Sequence, residues 1–189
     1  MTQRTLPGNY EAERSVIGAI LVDPELAVEI FSVLKADDFL DRKHRAIYEA
    51  CVELDSRSSL IDLVTINAEL ERSGRLEDAG GLEYLAALTE EIPTASSVKS
   101  HMEIVRDKAL LRKLLAASNE NMREVYESTD DAKTVLDRAE TRVFRISESV
   151  TTSDFVALKD LVDKGIASFE RLRDSQTYIT GVPSGFADL

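Results

Sequence analysis

From about Ser97 to Tyr126 the apolar residues Val98, Met102, Val105, Ala109, Leu114/Leu115, Met122 and Val125 recur at helical spacing. That pattern predicts one helix of roughly thirty residues, roughly 45 Å long at ~1.5 Å rise per residue. A compact small domain cannot surround a helix of that length. Glu127-Ser128-Thr129-Asp130 makes a turn and cap, and a return helix follows on Val135, Leu136, Ala139, Val143 and Ile146. Two antiparallel helices joined by a tight turn form a hairpin. Two helices alone cannot bury both faces, and Leu110, Leu111 and Phe144 lie off the main seam. The surplus apolar positions argue for self-association. The competing reading folds the hairpin back on the rest of the chain.

Before the hairpin almost every segment reads as helix. Asn9 can cap a helix whose buried face is Val16, Ile17, Ile20 and Leu21. Asp23-Pro24 restarts the chain with a cap and a first-turn proline, leading into Leu26, Ile30 and Phe31. Lys35 to Leu40 reads as a loop. Asp41 opens a third helix with Ile47, Cys51 and Leu54 facing inward. Asp62 caps a fourth, carrying Ile66 and Leu70 and ending at Gly74. Gly80-Gly81 turns the chain into a short helix with Leu82, Leu85 and Leu88, and Pro93 stops the run. Strand signals are nearly absent; the best candidate, Leu60 to Ile66, is interrupted by Asp62 and suits a helix start better. The fold class is therefore all-α: a compact helical head over 1–96, a helical hairpin over 97–150, then a linker segment.

That linker opens on Ser147 to Asp154, small and polar by composition. Within 151–179 comes an amphipathic helix with Leu158, Leu161, Val162, Ile166, Phe169 and Leu172 on one stripe and nothing obvious in the chain to lie against. Residues 180–189, Thr-Gly-Val-Pro-Ser-Gly-Phe-Ala-Asp-Leu, read as the start of a further domain.

Charge narrows the partners. The net charge is −12, and residues 1–96 hold most of it, with 9 basic and 19 acidic side chains, while 97–150 balance at 10 of each. DNA backbone binding needs clustered Lys and Arg, and no such cluster is present. An acidic head repels DNA or attracts a basic protein, or is simply a soluble surface. No stretch approaches the ~18 apolar residues of a bilayer span, and the start lacks a secretory apolar run. Cys51, the one cysteine, cannot make an internal disulfide and reads as a small buried side chain. The expected location is cytoplasmic, away from membranes.

Catalytic patterns do not emerge. There is no G-x-x-x-x-G-K-[ST] loop and no G-x-G-x-x-G. His44, among Arg42, Lys43 and Arg45 at a helix start, reads as a solvated or capping side chain, and His101 is equally bland. Asp37-Asp38 and Glu90-Glu91 sit at loop ends, where adjacent acids are usually exposed. Neither histidine has a Glu three residues before it, against the Glu-x-x-His of a di-metal bundle. No catalytic, cofactor-binding or metal-binding residue is assigned in this stretch.

Six phrases in order carry a resemblance. They are Leu6-Pro7 with Glu11-Ala12-Glu13-Arg14-Ser15-Val16-Ile17-Gly18; Asp37-Asp38-Phe39 with His44-Arg45-Ala46-Ile47-Tyr48; Ile61-Asp62-Leu63-Val64-Thr65; Gly80-Gly81-Leu82-Glu83-Tyr84-Leu85; Ile104-Val105-Arg106-Asp107-Lys108-Ala109 with Leu111-Arg112; and Ala139-Glu140-Thr141-Arg142-Val143-Phe144-Arg145-Ile146. Together they resemble the N-terminal part of the bacterial replicative DNA helicase, the DnaB family. Thr180 to Phe186 looks like the phrase that opens the family's ATPase domain.

The resemblance implies a collar on a hexameric ring, built as a trimer of dimers through paired hairpins, that recruits primase, with a helicase loader acting on the ring. It implies that Leu158, Leu161, Ile166 and Phe169 belong to a linker helix docked on a neighbouring subunit. It places ATP, Mg and DNA in a motor domain after Leu189. The expected partner contact is the hairpin tip, at Met122, Val125, Tyr126, Val135 and Leu136, where ordinary packing within the hairpin is the competing account. Another function keeps the fold but drops the motor: a replication adaptor or loader with a similar helical collar.

Overall fold

The computed structural model describes residues 5–90 and 94–151, and among these there are helices and turns but no strand. The helices are α1 (Tyr10–Val22), α2 (Pro24–Val33), α3 (Arg42–Ser56), α4 (Leu63–Arg72), α5 (Gly81–Leu88), α6 (Ala95–Glu127) and α7 (Ala132–Thr151), with a 3₁₀ turn at Ala36–Asp38. The segment Leu158 to Phe169 lies outside the described residues.

Local chemistry starts most of these helices where the sequence places a short polar side chain. Asn9 accepts from Ala12 N, Asp23 from Glu25 N and Leu26 N, Asp41 from Lys43 N, and Asp62 from Thr65 N. Each satisfies a backbone donor that a helix's first turn leaves open. Thr65 reciprocates, since its hydroxyl accepts from Asp62 N, closing a capping box. α5 begins differently. Gly80 and Gly81 both adopt positive φ, at 92° and 78°, and a Cβ on Gly80 would press against Tyr84 Cβ at 3.0 Å.

α1 is the centre of the head, touching α2, α3, α5 and α6. Val16, Ile17 and Ile20 are fully buried in it, each worth about 1.5–3 kcal/mol by apolar burial. Gly18 and Ala19 are buried too, leaving space for neighbours to approach. Leu34, Phe39, Ile47, Ile66, Leu70 and Leu85 complete one continuous core. Cys51 belongs to it, buried as expected; burial pushes its thiol pKa far up.

α6 is 33 residues long, and its two halves do different work. Val98, Met102, Val105 and Ala109 are buried against the head, chiefly on α1. The polar side of the same half is bonded as well, with His101 Nδ1 2.8 Å from Ser15 Oγ. α7 then returns beside the distal half of α6. It also runs to Thr151, through residues the sequence reads as a polar linker: a helix already propagating tolerates Ser and Thr that would not nucleate one.

Candidate protein-interaction surface

The distal half of α6 carries a run of exposed apolar side chains. Leu111, Leu114, Leu115, Met122, Val125 and Tyr126 are exposed, Tyr126 at 83%. At ~100° per residue they fall on one face, roughly opposite Met102 and Ala109, and so on the far side of the helix from the head. The periodic pattern in the sequence therefore hides two stripes. The step from Ala109 to Leu114 is the break, because five residues carry the chain past the buried face instead of back onto it.

α7 adds to the same region. Val135, Ala139 and Ile146 are half-buried on its inner row, whereas Leu136, Val143 and Phe144 are exposed. No described side chain of α7 is fully buried. Ion pairs link the two helices. Glu124 of α6 lies 2.8 Å from Arg138 and 2.5 Å from Arg142 of α7, and Arg142 Nη1 also donates to Asn121 Oδ1 at 2.7 Å. The Arg138 and Arg142 guanidiniums hold the Glu124 carboxyl below the usual carboxylate range, against a smaller opposing effect of burial. Of the five tip residues, Met122, Val125, Tyr126 and Leu136 face solvent, and Val135 is turned half inward.

The root of the hairpin is fixed by a polar clamp. Arg112 donates to Pro7 O at 2.8 Å and to Asp38 O at 2.6 Å. Lys113 Nζ lies 2.9 Å from Asp38 Oδ1, while Asp38 Oδ2 accepts from Lys35 N. Asp38 is buried, contrary to the exposed loop acid that the sequence implies. Its neighbour Asp37 is the exposed member of the pair. Alternation within one 3₁₀ turn aims one carboxylate into the clamp and the other at solvent.

His44 also departs from expectation: it is fully buried, neither solvated nor capping. The cap belongs to Asp41, and the imidazole spans two partners. Nδ1 is 2.9 Å from Glu13 Oε2, and Nε2 is 2.7 Å from Tyr84 Oη, which in turn is 2.9 Å from Tyr10 Oη. Glu13 accepts also from Leu40 N and Asp41 N. Burial raises the Glu13 carboxyl, but the bonds from His44, Leu40 and Asp41 and the His44 charge outweigh it and hold it below the usual range. The network joins α1, α3 and α5 and leads from a buried carboxylate through half-buried Tyr84 to exposed Tyr10. Among the described residues no three or more His, Cys, Asp or Glu groups are placed to hold a metal ion, and no helix is long and apolar enough to cross a membrane.

What this geometry offers outward is helix surface. A capped helical head, a clamped helix root and an apolar outer stripe define an all-helical domain with an exposed apolar face. The chain belongs to the DnaB family of replicative helicases, matching the description DnaB-like helicase N terminal domain over residues 5–107. It is 33% identical over its whole length to the replicative DNA helicase DnaC of Bacillus subtilis and 32% identical to the replicative DNA helicase DnaB of Geobacillus stearothermophilus. It spans 42% and 41% of those proteins. The N-terminal domain of the DnaB helicase of Mycobacterium tuberculosis superposes with a TM-score of 0.70 at 33% identity, over 75% of this chain and 99% of that one. A DnaB-like replicative helicase whose structure describes its interactions with primase gives 0.66 at 26% identity, over 94% of this chain and 38% of that one.

Proposed function

We propose that this chain is the N-terminal collar module of a hexameric replicative DNA helicase, holding subunits in a ring and recruiting primase and a loader during DNA replication in the cytoplasm. The observation that carries the reading is the solvent-facing stripe of α6 from Leu111 to Tyr126, on a chain whose relatives are replicative helicases. Six large apolar side chains on one face invite burial by another helical surface. In this reading hairpins pair into dimers and three dimers close the collar. The domain boundaries then carry function: 1–96 is the head, 97–150 the assembly arm, and 151–179 the linker whose Leu158, Leu161, Ile166 and Phe169 dock on a neighbouring subunit. Residues 180–189 lead into the motor, where ATP, Mg and DNA are handled. The collar's role is geometric: it keeps six motors in register and tethers primase beside the emerging single strand.

The tip residues Met122, Val125, Tyr126 and Leu136, with Val135 behind them, are the proposed primase contact. Primase is the expected partner because a similar DnaB-like helicase is described with its primase interactions, and the tip is chosen for its exposed apolar side chains. The test is a primase pull-down with Tyr126→Ala. Tyr126 is 83% exposed, so the fold should be unaffected and retention of primase should drop. Undiminished capture would remove Tyr126 from the site.

A further inference from the structure

Residues 35–41 lie between an acid and two cations. Glu13 takes one end of the segment: its Oε1 accepts from Leu40 N at 2.8 Å and its Oε2 from Asp41 N at 3.1 Å. Arg112 and Lys113 of α6 take the other, at Asp38 O and Asp38 Oδ1, 2.6 and 2.9 Å away. Asp38 Oδ2 accepts from Lys35 N, which closes the turn on itself. Between the two ends Phe39 is fully buried, and its carbonyl accepts from Arg45 Nη2 at 3.2 Å. Charge-assisted bonds at both ends leave the segment no slack, because moving its backbone toward one set breaks the other.

α6 loses its apolar hold on the head partway along. Val98, Met102, Val105 and Ala109 are buried, whereas Leu111, Leu114 and Leu115 are exposed. Among the described residues, the polar bonds from α6 to the head beyond Ala109 come from Arg112 and Lys113. Past Lys113 the helix runs about 21 Å to its end at Glu127, so a tilt of about 10° at the root moves that end by about 4 Å. A little freedom at the root is therefore much freedom at the tip. Burial pulls the Arg112 guanidinium below its ordinary pKa, and the charges of Glu13 and Asp38 act to restore it. The Glu13 charge thus reaches the root of the hairpin.

We propose that residues 35–41 are a strap that fixes the direction in which α6 leaves the head and ties that direction to Glu13. The acid inside the head holds the strap, the strap holds the two cations, and the cations hold the arm. Arg112 and Lys113 are its positioning residues. In a collar the strap would set neighbouring arms at matching angles, and that use rests on the collar reading. The strap itself is a property of one chain.

The test is the distance between nitroxide labels at Glu29→Cys on α2 and Glu127→Cys at the end of α6, measured by pulsed electron spin resonance in the 189-residue chain. Both positions are exposed, Cys51 is buried and stays unlabelled, and dilution into unlabelled chain keeps the distances within one molecule. The unaltered strap should give one narrow peak. Arg112→Gln with Lys113→Gln should give a distribution about twice as wide. Lys113→Gln alone, at a side chain 41% exposed, should broaden it less. Glu13→Gln should broaden it too, although Glu13 bonds to Leu40, Asp41 and His44, and should add nothing to the double variant. Glu13→Asp, which keeps the charge on a shorter stem, is the milder second variant and should broaden it to a smaller extent. Arg57→Gln breaks an ion pair with Glu69 elsewhere in the head and should leave the width unchanged. An unchanged width in the double variant overturns the strap. An unchanged width in both Glu13 variants overturns its tie to the acid. Equal broadening by Arg57→Gln would mean a head loosened throughout, which overturns it as well. None of these outcomes depends on ring formation, which the solution mass reports separately.

Discussion

Glu13 shows how much one buried carboxylate organises. Three donors converge on it from the Leu40–Asp41 backbone and from His44, so its charged form is held by bonds it cannot replace in a partly unfolded chain. Glu13→Gln keeps the shape but turns an amide N–H₂ toward one of those donors, and should cost about 2–3 kcal/mol. The folded pKa is depressed below the ordinary 4.5, so this contribution is full above the unfolded value and is lost as pH falls through the folded one. Urea unfolding of both proteins at about pH 7 and about pH 3 should show the gap between them closing in acid. A constant gap would mean that His44 and the backbone donors do not depend on the charge. Cys51 makes the opposite case, since burial raises its thiol pKa and shields it. Ellman's reagent should label Cys51 only at the rate of unfolding; complete labelling within seconds in native buffer would contradict its place in the core.

Helices are where the sequence is most legible, and the reason is range. A cap such as Asn9, Asp41 or Asp62 acts within three residues, so the pattern that starts a helix is contiguous in the chain. Burial of Asp38 and His44 is set instead by Lys113 and Glu13, 75 and 31 residues away, and no local pattern announces it. The hairpin falls between these cases. Its helices are evident from periodicity, but the outward turn of Leu114 and Leu115 depends on what α1 covers, which is a tertiary matter. The same view predicts how α7 behaves. With no fully buried described side chain and with Glu124 bonded to both Arg138 and Arg142, its attachment to α6 rests largely on charge. Raising NaCl from about 0.05 M to about 1 M shrinks the screening length to ~3 Å. Amide exchange across α7 should then quicken while α1 stays protected. Equal, salt-independent protection of the two helices would show that Val135, Ala139 and Ile146 hold the hairpin without the ion pairs.

At the scale of the whole chain, one half of α6 belongs to the head and the other has its apolar face turned to solvent. A monomer in water leaves Leu111, Leu114, Leu115, Met122, Val125 and Tyr126 uncovered, a surface that single folded domains seldom keep. Covering one such side chain fully is worth about 1.5–3 kcal/mol, before the cost of association is subtracted. Light scattering over a concentration series should therefore show dimers or larger species for the full chain. The same should hold for residues 1–150, because the stripe lies wholly within them. Leu115→Glu with Met122→Glu puts two charges into that face. Losing even about 3 kcal/mol weakens association by a hundredfold or more, so the doubly substituted chain should run as a monomer. Both positions are exposed, so helical content and melting temperature should hold. If the double variant associates as strongly as the parent, assembly lies elsewhere. If the parent is a monomer at every concentration, the stripe is a surface for a different protein and the proposed collar does not assemble through it.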